Sequence, residues 1–165
     1  MEAICSCCGR TQGYLNPLDD KRKTHVMCAN CLDYFLTIWG GSDASPDLEL
    51  SVNPTFRLTV GRRMVACNSR AVAVLGKSRN TMSGLLCGEF MGCDRAHLPE
   101  GCGLTVYCES CVIRRSLAIT AETGKNQERV MAFMNMSRAG APEFINLMIS
   151  TRKAGDLIDL EVAGM

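Results

Sequence analysis

The 165-residue chain carries eleven cysteines, and eight of them form two groups that each contain at least one Cys-x2-Cys pair. The first group sets Cys5 and Cys8 against Cys28 and Cys31. The second gathers Cys93, Cys102, Cys108 and Cys111 around a Gly101-Cys102-Gly103 turn. Thiols grouped in this way point to metal or redox chemistry more than to scattered packing, because thiolates converge only where a cation, a cluster or a disulfide offsets their repulsion.

A secreted disulfide scaffold is the competing account of a cysteine-rich chain. It fits poorly here. The Met1-Glu2-Ala3-Ile4-Cys5 start has no basic region followed by an apolar stretch, so no signal peptide is expected. No apolar run approaches the roughly 20 residues a membrane span needs. The cysteine total is odd. A cytoplasmic setting, in which thiols stay reduced and free to bind metal, follows from that usage. A hydrophobic fraction of 47% and a net charge of +1 describe a globular chain with no general bias towards nucleic acid or acidic lipid.

The run Gly40-Gly41-Ser42-Asp43-Ala44-Ser45-Pro46-Asp47 is made of turn formers and lies between two patterned regions. It divides the chain into a cysteine module over 1–39, a linker over 40–53 and a main domain over 54–165. In the module, Cys5-Ser6-Cys7-Cys8-Gly9 and Cys28-Ala29-Asn30-Cys31 read as two zinc knuckles. Four thiolates at about 2.3 Å from Zn²⁺ make a closed structural site, and so short a segment has too small a core to fold without one. Leu32, Phe35, Leu36 and Trp39 follow at helical spacing, so the second knuckle is expected to open a helix, as in treble-clef-like fingers, with its apolar stripe over the metal. Cys7 is a bystander, since Cys5/Cys8 reproduces the spacing of Cys28/Cys31. His25 reads as a solvated histidine beside a complete ligand set. Arg10, Lys21, Arg22 and Lys23 are balanced by Glu2, Asp19, Asp20 and Asp33, which removes the basic footprint of a phosphate-binding finger.

In the main domain, Thr55–Val60 alternates apolar and polar residues, and Arg63–Cys67 follows at hairpin distance. Asn68-Ser69-Arg70 reads as the start of a short helix with Ala71, Val74 and Leu75 inward and Gly76 as its stop. Lys77–Gly84 holds a second short helix. Glu109–Thr123 forms a long one with Val112, Ile113, Leu117 and Ala121 on its apolar side. Strands are expected over Glu128–Met136, Glu143–Arg152 and Leu157–Val162, with a hairpin turn at Lys153-Ala154-Gly155-Asp156. Within the first of these, Val130, Ala132, Met134 and Met136 point one way, so the methionines belong to the core and not to a soft-metal site.

Strand, turn, strand, Asn cap and a helix ending in Leu75-Gly76 is an order that resembles the PAS domain family over 54–163. The first module likewise resembles a short cysteine-rich segment of bacterial PAS-containing signalling proteins, through Ile4-Cys5, Gly13-Tyr14 and Cys28-Ala29-Asn30-Cys31. The resemblance implies an α+β fold, a five-stranded antiparallel sheet with helices on one face, preceded by the small zinc finger. It also implies a sensor of ligands, redox state or partners that is not an enzyme.

The stretch from Cys87 to Cys111 departs from the family pattern and sits where PAS proteins usually hold a cofactor. The spacing Cys93-x8-Cys102-x5-Cys108-x2-Cys111, with Cys87 as a reserve ligand, suits four-thiolate zinc or an iron–sulfur cluster. A disulfide-forming thiol switch and simple packing of small apolar side chains are the other two readings. Val112 stands where covalent haem attachment needs histidine, and His97 reads as a solvent-facing loop residue. The cysteine motif of flavin photoreceptors is absent. No Ser/His/Asp set, phosphate-cradling loop or paired carboxylate site can be assembled from these residues.

Together these features describe a cytoplasmic sensor of redox state or metal. With no kinase, cyclase or DNA-binding segment after the last strand, output is expected through a separate effector protein, or the chain is part of a longer sensor. A homodimer is compatible with this reading, and neither membrane nor nucleic acid is an expected partner. The two alternative functions are a zinc-finger regulator of transcription and a thiol oxidoreductase.

Overall fold

A computed structural model of the chain describes residues 2–14, 23–32, 35, 45–138 and 141–164. Near the N-terminus, β1 (Glu2–Cys5) pairs antiparallel with β2 (Thr11–Tyr14) and parallel with β3 (Lys23–Val26). The β1–β2 connection is the first knuckle: the Gly9 N–H donates to the Cys5 carbonyl, and Gly9 has φ of 71°. Only glycine takes that conformation without a Cβ penalty. Residues 29–32 are helical, so the second knuckle opens a helix.

The larger sheet contains β4 (Thr55–Leu58), β5 (Met64–Cys67), β6 (Gln127–Arg138), β7 (Ala141–Ala154) and β8 (Leu157–Ala163). Its strands lie in the order β5-β4-β8-β7-β6, and every neighbouring pair is antiparallel. The alternation read from the sequence dictates its two faces. Phe56, Leu58, Ala132, Met134, Leu147, Ile149, Ile158, Leu160 and Val162 are buried on one face. Arg57, Asp159 and Glu161 occupy intervening positions, and Arg57 Nε donates to Asp159 Oδ1 at 2.7 Å across the β4–β8 pair.

Four helices cover the apolar face: α1 (Ser69–Leu75), α2 (Arg79–Met82), α3 (Cys87–Met91) and α4 (Val112–Thr123). Ala71, Met82, Phe90, Met91, Ile113 and Leu117 enter the same buried cluster as the sheet residues. Full burial of a side chain such as Phe56 or Phe90 contributes about 1.5–3 kcal/mol, and these two rings stand 4.8 Å apart at their centroids. The architecture is therefore the α+β arrangement expected, a five-stranded antiparallel sheet with helices on one face.

Asn68 fixes the first helix. Its Oδ1 accepts from the Ala71 and Thr55 N–H groups at 3.0 and 3.1 Å, and its Nδ2 donates to the carbonyls of Asn53 and Leu48. Residues 48–53, within the stretch read as a linker, are thereby held against the sheet, with Leu48 buried. Several details differ from the sequence reading, among them that β4 ends at Leu58 and β5 starts at Met64. Val74 is 47% exposed, and Val72 packs beside Ala71 and Leu75 in its place. Ala71, Val72 and Leu75 lie at helical spacing, and the position of the sheet selects that face. The long helix begins at Val112, because Val106–Ser110 closes as a 3₁₀ turn. The last three strands run slightly beyond the bounds expected for them, and the final turn is the two-residue Gly155-Asp156 between paired Ala154 and Leu157.

Candidate metal centre and thiol-lined cavity

The N-terminal knuckles bring Cys5, Cys8, Cys28 and Cys31 together, and their four Sγ atoms all lie within 4.8 Å of one another. A tetrahedron with arms of about 2.3 Å has an edge of about 3.8 Å, and the Cys8 and Cys28 sulfurs stand 3.9 Å apart. The donor set and its geometry fit a single four-coordinate metal ion. The Cys28 N–H donates to Cys5 Sγ at 3.3 Å. That amide, followed by the one at Cys8, brings the Cys5 thiol down to about 5. Cys31 moves the other way, raised first by burial and then by the neighbouring Cys28 thiol. Thiolates this close repel one another, and a bound cation relieves that repulsion.

Cys7 is exposed and stands outside this group. Leu32 is 48% exposed, so it does not form part of an apolar cover, and Phe35 is half-buried. The His25 side chain, Leu36 and Trp39 lie outside the described residues.

The second set occupies different ground. Cys87, Cys93, Cys102, Cys108 and Cys111 all line one cavity of about 290 Å³, together with Arg62, Arg95, Arg114, Tyr107 and Met134. Each thiol reaches it from a separate local structure. Cys87 opens α3, Cys93 caps the 3₁₀ turn Asp94–His97, Cys102 sits between two left-handed glycines, Cys108 lies in the Val106–Ser110 turn and Cys111 caps α4. Cys108 and Cys111 therefore do not project from successive turns of one helix. Among the described residues, only the N-terminal cysteines form a group of three or more ligands with all atoms within 4.8 Å. The second set lines a space instead of closing on a point.

Backbone donors are aimed at these thiols. The Gly88 N–H donates to Cys102 Sγ at 3.3 Å and the Gly103 N–H to Cys108 Sγ at 3.2 Å, with Thr105 Oγ1 3.1 Å from the same sulfur. Burial pushes Cys108 up, but the Thr105 hydroxyl and the Gly103 amide outweigh it, and the thiol is lowered overall. Burial dominates at Cys87, Cys93 and Cys102, whose thiols are raised. The Cys87 thiol is buried and donates to Met91 Sδ at 3.4 Å, so it is already partnered.

Several residues of the cavity were not singled out by the sequence. Arg62 has φ of 67°, an uncommon conformation for a residue with a Cβ. That backbone ends the β4–β5 hairpin and lays the guanidinium against Gly103, where a Cβ would collide with it. Arg95 stacks over Tyr107 at 3.9 Å, and Arg114 Nη1 donates to the Cys108 carbonyl at 3.2 Å. Asp94 accepts from the Ser137 N–H and hydroxyl, which fastens the cysteine loop to β6. His97 is exposed, as its loop position suggested.

No family model matches the chain, and no curated protein matches it. Solved structures similar to it include the photoactive yellow protein domain of the sensor histidine kinase Ppr from Rhodospirillum centenum, at 12% identity and a TM-score of 0.46, covering 77% of this chain and 96% of that one. A PAS domain from Desulfitobacterium hafniense matches at 11% identity and a TM-score of 0.44, covering 73% and 100%. The PAS domain of Bordetella pertussis BvgS matches at 11% identity and a TM-score of 0.43, covering 72% and 80%. At these identities and scores, function has to be argued from the site itself. Among the described residues no helix is long and apolar enough to cross a membrane.

Proposed function

We propose that the chain is a non-enzymatic cytoplasmic sensor of redox state or metal, whose sensing site is the cavity lined by Cys93, Cys102, Cys108 and Cys111. The observation that carries this reading is the convergence of thiols from α3, two 3₁₀ turns, a glycine-flanked loop and the α4 cap on one space beside the sheet. Cys5, Cys8, Cys28 and Cys31 hold a structural Zn²⁺, because a closed four-thiolate site leaves no open position for chemistry.

The cavity is coupled to the rest of the domain through packing. Cys111 begins α4, and Thr120 on that helix has its hydroxyl 2.7 Å from that of Thr151 on β7, both buried. Loss, oxidation or reduction of the site changes the position of the α4 cap. The helix passes that change to β7, and the altered surface is read by a separate effector protein.

Hydrogen exchange on the full chain tests this, comparing the protein purified without oxygen with the same protein after oxidation or chelation. The expected outcome is altered protection in α4 and in β6–β7, with β4 and β5 unchanged. Identical protection in the two states would remove the sensing role.

A further inference from the structure

We infer that the second cysteine set holds an iron–sulfur cluster and not a single zinc ion. This rests on the reading of the cavity as a ligand-bearing site and names the class of ligand.

The two cysteine sets within this chain differ in their sulfur spacing. A lone tetrahedral ion draws its four sulfurs to about 3.8 Å from one another. The N-terminal set already has that geometry, with all its sulfurs within 4.8 Å. Cys93, Cys102, Cys108 and Cys111 use the same donor atom, but no three ligand atoms there meet the same limit. All four line a cavity of about 290 Å³. In a polynuclear cluster the thiolates are shared among several irons, and inorganic sulfide fills the centre. Such a group needs both wider sulfur spacing and an interior volume.

The surroundings of the sulfurs match this ligand. Amide donors at Gly88 and Gly103 reach Cys102 and Cys108, and hydrogen bonds to cluster sulfurs are one of the means by which proteins set cluster potentials. Arg62, Arg95 and Arg114 line the same space and offset the negative charge of four thiolates with sulfides. Gly88 is required at its position because Cys102 Sγ would lie 2.9 Å from any Cβ there. Cys87, already bonded to Met91, is left out of the ligand set.

The test supplies the full chain, without oxygen, with iron and sulfide in one sample and zinc alone in another, and measures bound iron, acid-labile sulfide and zinc. Iron and sulfide in equal amounts at the second set, with visible absorption and a paramagnetic signal in one redox state, is the expected result. The C108S/C111S and C93S/C102S variants should each lose iron and sulfide while the finger keeps its zinc, which also reports that the finger still folds. Uptake of an additional zinc ion with no iron or sulfide overturns the cluster but leaves the metal-sensing reading in place. Uptake of neither overturns the cluster and the metal-bearing site together. Iron retained in both double variants refutes the ligand assignment. The wild-type measurement decides between zinc and cluster even if a variant fails to fold.

Discussion

Gly88 and Cys102 are fitted to each other: the Gly88 amide donates to the Cys102 sulfur at 3.3 Å, and a Cβ on Gly88 would lie 2.9 Å from that same sulfur and 3.3 Å from the Ala96 Cβ. The absence of a side chain at 88 is thus what allows the loop carrying Cys102 to close on α3. Replacing Gly88→Ala should displace the Cys102 thiol from the cavity. We expect the variant to fold and keep the finger's metal, yet to bind the second-site ligand at least about tenfold more weakly, the usual lower range for disturbing the groups that orient metal ligands. Metal analysis and a competition titration check this, and unchanged affinity would show that the Gly88–Cys102 contact has no bearing on the site.

Asn68 is fully buried and bonds four backbone groups on three segments. Removing its side chain deletes a helix cap and leaves the Thr55 N–H without that partner. The Asn68→Ala variant should lose about 2–3 kcal/mol of stability. Denaturant unfolding followed at a signal from the sheet is the check, and the loss should be the same with and without metal because Asn68 is not among the residues of either cysteine site.

The finger predicts a sharp contrast between adjacent thiols. Cys7→Ser should bind zinc as the wild type does, since Cys7 is exposed and outside the group of four. Cys5→Ser should lose it, because Cys5 is buried and its sulfur accepts the Cys28 amide. Chelation of the wild-type ion should unfold residues 2–14 and 23–32 while leaving the domain sheet intact, as small metal modules fold only with their ion bound. Zinc content and backbone spectra of the three proteins measure both effects. Equal zinc binding by the two serine variants would mean that Cys7 can serve as a ligand.

Much of the fold was legible because it rests on local chemistry. The alternation in Thr55–Leu58 and Val130–Met136, the Asn68 cap and the Gly76 stop each act within a few residues, and the strands and α1 follow from them. The convergence of Cys5, Cys8, Cys28 and Cys31 was equally legible, since Cys-x2-Cys fixes two sulfurs on one knuckle. Other features depend on partners distant in sequence. Val74 and Val72 exchange places because the surface covered by α1 is set by where the sheet lies. The 3₁₀ turn at Val106–Ser110 has no periodicity of its own, so it merged with the helix that follows. Arg62 is 41 residues from Gly103, and only the left-handed turn at the end of the β4–β5 hairpin brings its guanidinium to that glycine. Gly88 carried no signal beyond its place beside Cys87, because its role is to leave room for Cys102.

If Cys93, Cys102, Cys108 and Cys111 act as one ligand set, their thiols should change reactivity as one, which alkylation read by mass spectrometry measures. Full-length protein prepared without oxygen would be treated with an alkylating reagent before and after the second-site ligand is stripped under reducing conditions. Exposed Cys7 should be labelled in both samples. Cys93, Cys102, Cys108 and Cys111 should be protected together at first and become reactive together on stripping, while buried Cys67 and Cys87 stay slow throughout. Labelling of Cys102 and Cys108 at the same rate before and after stripping, or release of one of the four without the others, would contradict a single ligand set.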